Sequence, residues 1–251
     1  MVETGHTEEG LEQADRALAL AREIGDAWTV AEILNDAALG NDRTNPKRGL
    51  QLLQESLALR RSLGDHVNVA DSLNNLGYVQ AVIGEYDVAE PLLEEGLQIA
   101  RQTGDLRHIA LIIGNLGNVS LFRGEGEVAK GRYQESLRVS RRIGDTRVPL
   151  EALRGVAAIA ASDGDIDTAA ALSAAVDALL ISFGGTRSSA EVVMEKRFFE
   201  PLRRSVGEAK WNQLSSRGTG LTFEQTLAWA LGEESPRRTV TDQPAPLPSS
   251  A

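Results

Sequence analysis

The chain has 251 residues, of which 42% are apolar, enough to bury the core of one or two domains. Its net charge of -10 disfavours binding to nucleic acid or to an anionic membrane surface, and the absence of cysteine excludes disulfides and thiolate metal sites. No apolar run approaches the ~20 residues of a membrane span, and the acidic N-terminus does not resemble a signal peptide, so we expect a cytoplasmic protein.

The first predicted element is a helix over residues 11–24, and it ends at a Gly-Asp pair. The pair occurs four times, at spacings of 39, 40 and 40 residues: Gly25-Asp26, Gly64-Asp65, Gly104-Asp105 and Gly144-Asp145. Glycine suits the left-handed residue after a helix, and aspartate accepts the free amide hydrogens of the next one. Each pair therefore joins two helices, and a fixed period of this length is typical of a solenoid.

Each unit is predicted to be a helical hairpin. A second glycine column lies midway between the pairs and divides each unit into two amphipathic halves: Gly84, Gly124 and Gly164. Neither half can bury its apolar stripe alone, so stacked hairpins must share one core. Arginines three residues before each pair face the negative end of a helix dipole: Arg22, Arg61, Arg101 and Arg141. We expect units from residues 26, 65, 105 and 145.

The N-terminal unit is predicted to be partial. Gly5 falls in the midway column, so residues 5–25 hold a turn and then a second helix whose first helix is missing. The apolar face of that helix would be exposed, although solenoids normally have a capped end. Either an upstream domain is absent from this chain, or the exposed face pairs with another protein, including a second copy of the chain.

Two short patterns recur in successive units. Leu76-Gly77 and Leu116-Gly117 lie in first helices, and Ala89 with Leu93 lies in a second helix. These patterns resemble the tetratricopeptide repeat, although its usual period is about 34 residues. The longer unit is similar to that of kinesin light chains and of the C-terminal regions of large bacterial ATPase-type transcriptional regulators related to the maltose activator. The resemblance implies an all-α, right-handed α-solenoid over residues 1–185.

The resemblance also implies a concave groove lined by the first helix of each hairpin. We call the repeat positions that face this groove the groove columns. These positions and their neighbours give the predicted partner-binding residues: Glu32, Asn35, Asp36, Asp71, Asn74, Asn75, Tyr78, Asn115, Asn118, Phe122 and Arg154. Asparagine is a weak helix former, but its amide offers a donor and an acceptor that complement a peptide backbone. The alternative is that these amides bond neighbouring helices and stabilise the stack.

Three patterns that mimic catalytic or metal sites are better explained as helix junctions. The stretch GEGEVAKG, residues 124–131, lacks the preceding strand and the Gly-Lys-Ser/Thr of a phosphate loop. Asp163, Asp165 and Asp167 begin like a calcium loop, but glycine and glutamate are missing at its sixth and twelfth positions. The three histidines have no partners at the spacing of a metal site or triad. We assign no catalytic residue, metal ligand or cofactor, although a site built from distant loops would escape a single sequence.

Residues 186–232 are predicted to form a helical cap on the solenoid. Ser188 with Glu191, and Thr222 with Gln225, have the spacing of capping boxes, so helices should begin near residues 189 and 223. Pro201 should kink or split the first of them.

The last part of the cap carries a second resemblance. Its sequence AKWNQLSSRGTGLTFEQTLAWAL, residues 209–231, is similar to the ending that follows the repeats in those bacterial regulators. Residues 233–251 contain too few apolar side chains to fold and are predicted to be a disordered tail.

The leading functional hypothesis is a non-enzymatic scaffold that binds a protein or peptide in the concave groove. The second resemblance favours the partner-binding or sensory arm of a bacterial transcriptional regulator. A different class of function uses the same groove as a receptor for a small-molecule inducer, as the maltose-activator-like regulators do. Self-association through the N-terminal helix is a third possibility, and no direct contact with nucleic acid or membrane is expected.

Overall fold

The computed structural model describes residues 3–41 and 45–233, and these residues form helices without any strand. The helices, in chain order, are α1 (Glu3–Ile24), α2 (Ala27–Asn41), α3 (Pro46–Ser62), α4 (His66–Ile83), α5 (Tyr86–Thr103), α6 (Leu106–Arg123), α7 (Gly126–Ile143), α8 (Pro149–Ser162), α9 (Ile166–Ser182), α10 (Ser189–Met194), α11 (Glu200–Val206), α12 (Glu208–Ser215) and α13 (Phe223–Ala230). A π-helical turn, Glu195–Phe199, joins α10 to α11. None of the described helices is long and apolar enough to cross a membrane.

The helices pair into four hairpins and stack in two layers. The hairpins are α2–α3, α4–α5, α6–α7 and α8–α9, and each packs on the next. Among the helices of successive hairpins, α4 contacts α6 and α6 contacts α8, so the even-numbered helices form the inner, concave layer. The all-α solenoid predicted from the repeat is confirmed.

The Gly-Asp pairs form the predicted joints between hairpins. Gly64 and Gly104 adopt φ of +70° and +72°, the left-handed region that other residues rarely enter. Asp105 then accepts a hydrogen bond from the backbone amide of His108 at 3.0 Å, and Asp65 does the same from Asn68 at 3.2 Å. Each pair thus ends one helix and caps the next.

The arginines before the Gly-Asp pairs make a contact that the sequence pattern did not predict. Three of the four reach a glutamate 33 or 34 residues further on: Arg22 to Glu55 at 2.5 Å, Arg61 to Glu95 at 2.5 Å, and Arg101 to Glu135 at 3.7 Å. We call this series the arginine ladder. Its side chains are about half exposed, so each pair contributes at most about 1 kcal/mol.

Small residues set the distance between the two helices of a hairpin. A Cβ built on Gly77 would lie 2.6 Å from Leu93, and one on Gly117 would lie 2.7 Å from the ring of Tyr133. Both distances are too short for a carbon contact, so these glycines allow large side chains of the second helix to fill the core.

The N-terminal helix differs from its prediction. Helix α1 begins at Glu3, so Gly5 lies inside a helix and not in the turn that its column predicts. Leu18 and Ala21 of α1 pack against Val30 and Leu34 of α2.

The C-terminal helices begin where their capping boxes predict. Ser188 and Thr222 accept hydrogen bonds from the amides of Glu191 and Gln225, and those side chains bond back to the cap residues. Pro201 lies directly after the π-helical turn, where the helical hydrogen-bond pattern changes, so its missing N–H falls at the predicted interruption of the helix.

These helices pack on the last hairpin of the stack. Helix α12 contacts α9, α13 contacts α8 and α9, and α10 contacts α8 and reaches α4 in the inner layer. The predicted tail begins at Glu233, and its residues 234–251 lie outside the described part of the chain.

Candidate functional site

The concave face holds a cavity of about 460 Å³. We call it the concave cavity. Its lining comes mainly from α2, α4, α6 and α8, from the segment between α9 and α10, and from α10, with single residues from α7 and α9 and part of the segment before α8. The apolar part includes Leu111, Leu150 and Leu180, and the polar part includes Asn115 and Glu151. Such a volume and a mixed lining are typical of sites that bind small ligands or single side chains.

The asparagines form a continuous hydrogen-bonded chain along the inner layer. The bonds that cross from one hairpin to the next run from Asn75 Nδ2 to Asn35 Oδ1 at 3.2 Å and from Asn115 Nδ2 to Asn74 Oδ1 at 2.8 Å. Asn74 is linked to Asn75 at 3.2 Å within α4. These side chains are buried, so the amides join neighbouring hairpins, the alternative that the sequence left open. We call this series the asparagine chain.

The asparagine chain ends at the partly buried carboxylate of Glu151. Asn118 donates to Asn115 at 3.3 Å and to Glu151 at 2.6 Å, and it accepts a hydrogen bond from the hydroxyl of Tyr133 at 2.8 Å. Ser188, from the segment before α10, donates to the second oxygen of Glu151 at 2.5 Å. The chain therefore connects the repeats to the C-terminal helices.

The carboxyl group of Glu151 has an unusual acidity. Burial, reinforced by the negative charge of Glu191, raises the pKa of Glu151 to about 7 against the hydrogen bonds from Ser188 and Asn118. Burial and the charge of Glu151 also raise the pKa of Tyr133 well above its ordinary value, so Tyr133 stays a hydrogen-bond donor.

A second polar cluster lies between α3, α4 and α6. Arg60 donates to Asp71 at 3.0 Å and to the hydroxyl of Ser72 at 2.8 Å, and His108 bridges Asp71 and Asp105 at 3.5 and 2.7 Å. Burial acts to raise the pKa of Asp71, but His108 and Arg60 outweigh it and lower that pKa below its usual range. The hydrogen bond to Asp71 and the contact with Asp105 raise the pKa of His108.

Arg154 lies at the centre of a third cluster and is only 1% exposed. It donates to Asp177 and lies 3.6 Å from Glu191 and 4.0 Å from Glu195. Its guanidinium also lies 5.7 Å from the ring centroid of Phe199, where a cation is attracted to the aromatic face.

The C-terminal segment holds further residues that were predicted to face a partner. The hydroxyl of Tyr78 accepts a hydrogen bond from the amide of Ala190 at 3.0 Å, and the carbonyl of Phe122 accepts one from Arg197 at 2.6 Å. The ring of Phe122 is 2% exposed and lies beside Tyr86. We therefore assign Phe122 and Arg154 to the fold and not to the partner surface.

The remaining predicted residues divide by position. Four of them line the concave cavity: Asn74, Asn75, Tyr78 and Asn115. Glu32 and Asp36 are exposed on the same face of α2, and Asn35, Asp71 and Asn118 are bonded between helices. Binding of a partner by these residues stays a prediction.

The sequence analysis missed Glu151 and Glu191 as cavity residues. Glu191 was read only as a capping residue, and no motif marks Glu151. Both reach the cavity because the C-terminal segment folds back onto the inner layer, a contact between distant parts of the chain.

Comparison with known proteins supports the repeat family. Residues 31–102 match the family model described as "Tetratricopeptide repeat". Over 98% of its length the chain is similar to 99% of the crystal structure of BtubC (BKLC) from P. vanneervenii, with a TM-score of 0.60 and 16% identity. The fold is a tetratricopeptide-repeat solenoid.

Among curated proteins, no sequence matches the chain. At 16% identity the likeness to BtubC concerns the fold alone. Tetratricopeptide repeats generally mediate protein–protein interactions as non-enzymatic scaffolds, and they use the extended concave surface of the solenoid to do so.

Proposed function

We propose that this tetratricopeptide-repeat solenoid binds an extended segment of a partner protein along its concave face, as the partner-binding or sensory arm of a bacterial transcriptional regulator. The observation that carries the proposal is the concave cavity, which interrupts an otherwise bonded inner layer. Such a cavity accepts one side chain of a bound segment while the rest of the segment lies along the groove.

The asparagine chain leaves binding capacity at the cavity. A side-chain amide offers two N–H donors and two acceptor lone pairs. Asn74 and Asn115 each use one N–H and one lone pair within the chain, so each retains one donor and one acceptor where it lines the cavity. One donor and one acceptor complement a peptide unit, so the same amides serve the stack and the proposed partner.

The regulator role rests on the ending of the chain. Within residues 209–231, Gly218 packs against the last hairpin so closely that a Cβ would overlap the carbonyl of Ala171. Trp211 meets Phe199 edge to face at 6.4 Å between ring centroids. The glycine turn and tryptophan of the family-like ending thus dock on the stack. A helix-turn-helix or a phosphate-binding loop encoded directly upstream in the same reading frame would support the regulator role, and an unrelated domain there would contradict it.

The groove is tested by selecting short random peptides on the full chain and measuring their affinity by fluorescence anisotropy. Leu39 is 42% exposed and lines the cavity, so Leu39→Arg should weaken selected peptides about tenfold or more by placing a hydrated charge at the contact. Val128 is 50% exposed on the outer helix α7, so Val128→Arg is the matched control and should bind normally. Failure to select any peptide, or equal effects of the two variants, would contradict groove binding.

One observation favours a second candidate, the small-molecule inducer. The segment before α10 closes one side of the cavity, and its volume of about 460 Å³ is in the range of small-ligand sites. A thermal-shift screen against sugars and other metabolites separates the two candidates. A hit that Leu39→Arg weakens and Val128→Arg leaves intact, together with no selected peptide, would favour the inducer.

A further inference from the structure

The carboxylate of Glu151 lies at the cavity wall without a cation. Its two oxygens accept hydrogen bonds from Asn118 and Ser188, and both of those donors are neutral. Among the residues that the structure describes, no Lys, Arg or His side chain forms an ion pair with Glu151. A carboxylate withdrawn from water is stabilised by a charged partner, and the described residues supply none at this wall.

The neighbouring arginines already form ion pairs with other carboxylates. Arg154 and Arg187 contact Asp177, and Arg187 and Arg203 contact Glu195 at 3.3 and 2.8 Å. With Glu191, which lies 3.6 Å from Arg154, the cluster holds three arginines and three carboxylates. The positive and negative charges of the cluster are equal in number without Glu151, so none of these arginines is left to neutralise it.

Glu191 adds an open acceptor to the same wall. Its side chain is 4% exposed and lines the cavity, and its Oε1 accepts no hydrogen bond, although it lies 3.6 Å from Arg154 Nε. A buried carboxylate oxygen without a hydrogen bond is costly, so a donor placed in the cavity would find acceptors on Glu151 and Glu191.

The positive charges of the cavity lie at its mouth. Arg147 is exposed there, and Arg107 is exposed and lies 3.4 Å from Asp145. Solvent and salt screen both side chains, whereas the inner wall is shielded from water. On the approach along α2, Glu32 and Asp36 are exposed one turn apart on the face that carries Leu39. The approach along α2 is therefore negative, and so is the inner wall with Glu151 and Glu191.

We propose that the concave cavity binds the cationic end of a lysine or arginine side chain, with Glu151 as its charge partner and Glu191 as a second acceptor. The side chain belongs to the partner segment, so the inference rests on the proposed function. Leu111, Leu150 and Leu180 cover its methylene groups, because long basic side chains bury their stems against apolar surface. The charge at the tip then replaces the cation that the cavity wall lacks.

The acidity of Glu151 agrees with this role. Its pKa is raised to about 7, mainly by burial and also by Glu191. The carboxyl group is therefore protonated in part of the molecules at neutral pH. The other groups that face it are neutral: Asn118, Ser188 and, through Asn118, Tyr133. A cation that binds displaces this proton, so binding should tighten as the pH rises through 7.

The experiment titrates the full chain with n-butylammonium and n-butylguanidinium ions, followed by two-dimensional NMR of the backbone amides at pH 8. Expected shifts concentrate at Asn115, Glu151 and Ser188, and n-butanol, the uncharged analogue, should produce none of comparable size. Glu151→Gln should weaken binding of both ions about tenfold or more. Glu125→Gln, an exposed glutamate at the start of α7, is the matched control and should leave binding unchanged.

Equal shifts with n-butanol, or equal affinity in Glu151→Gln and the unchanged chain, would overturn the inference. Thermal unfolding of Glu151→Gln verifies that the fold is retained, and if this variant unfolds, Glu191→Gln and the comparison with n-butanol decide the question.

Selected peptides separate this inference from the proposed function. We expect a lysine or arginine at one fixed position, whose replacement by norleucine weakens binding to the unchanged chain but not to Glu151→Gln. Peptides that bind the groove without a fixed cation would overturn the cation site and leave groove binding intact. If no peptide is selected, groove binding fails, and the titration with the two ions still decides whether the cavity is a cation site.

Discussion

The array, α2–α7, and the closing region, α8–α13, use buried polar groups in different ways. In the array, asparagine contacts join one hairpin to the next at nearly constant spacing, as Asn75 does with Asn35 and Asn115 with Asn74. In the closing region Arg154 contacts Asp177 and Glu151 contacts Ser188, and neither contact recurs at the repeat spacing in the array. The repeat therefore determines how hairpins stack, and the closing region determines where the groove ends.

The two buried arginines provide the largest test of this comparison. Arg154→Met leaves Glu191, Glu195 and Asp177 without their central cation, so we expect a loss of about 3 to 5 kcal/mol in the free energy of unfolding. Arg60→Met should cost less, about 1 to 3 kcal/mol, because Asp71 keeps His108 as a partner. Urea unfolding of both variants measures the difference, and equal losses would show that the two regions do not differ in this respect.

The second largest expected difference between the two regions is the pH range over which each loses stability. Folding raises the pKa of Glu151 from 4.5 to about 7, so its protonated form is favoured in the folded state. The stability from this group is complete below pH 4.5 and is lost as the pH rises to about 7, a change on the order of 3 kcal/mol. In Glu151→Gln the thermal unfolding temperature should change less with pH between 4.5 and 7 than in the unchanged chain. An equal pH dependence in the two proteins would contradict the assignment.

His108 gives the array its own pH window. Its pKa is raised above 6.5 by Asp71 and Asp105, so its contribution is complete below pH 6.5 and is lost as the pH rises through the folded pKa. His108→Gln should remove this loss while the window of Glu151 below pH 7 remains. If both variants changed the same window, the two clusters would be one coupled unit.

A smaller effect is expected within the asparagine chain. Asn115→Ala removes a donor to Asn74 and an acceptor for Asn118, so we expect a loss of about 1 to 3 kcal/mol in the free energy of unfolding. Asp36→Ala is the control, because an exposed side chain without such a role should change stability by less than about 0.5 kcal/mol. Urea unfolding distinguishes the two, and an unaffected Asn115→Ala would mean that water replaces the amide.

The arginine ladder should show the smallest effects. Arg61→Ala breaks a half-exposed pair and should cost at most about 1 kcal/mol, less as salt concentration rises. Arg101→Ala, whose pair is longer at 3.7 Å, should cost less still. Unfolding at low and high salt measures both, and a loss that salt does not reduce would point to packing of the arginine stem.

The array could be predicted from the sequence because its physics is local and periodic. The left-handed Gly64 and the capping Asp65 act on adjacent residues, and the 40-residue period shows that hairpins stack. The same period contained the arginine ladder, since Glu95 and Glu135 lie 34 residues after Arg61 and Arg101.

The candidate site was less predictable because part of it is made by tertiary contact. The groove columns correctly placed Asn74 and Asn115 at the cavity, but they placed Arg154 on the same surface, where the C-terminal helices bury it. Its column holds Asn74 in one unit and Gly114 in the next, so the change to arginine was a visible departure from the repeat. The departure is explained by the tertiary structure, in which Asp177, Glu191 and Glu195 surround the arginine.

The last step of the arginine ladder has a consequence for how the C-terminal segment is held. The hairpin α8–α9 follows Arg141, but Ala175 stands 34 residues after it, where the earlier units have a glutamate. Arg141 instead binds Glu233, 92 residues further on, at 2.6 and 2.8 Å. The segment after α13 thus supplies the carboxylate that the α8–α9 hairpin lacks, so the basic position that links neighbouring hairpins in the array here links the end of the helical cap to α7.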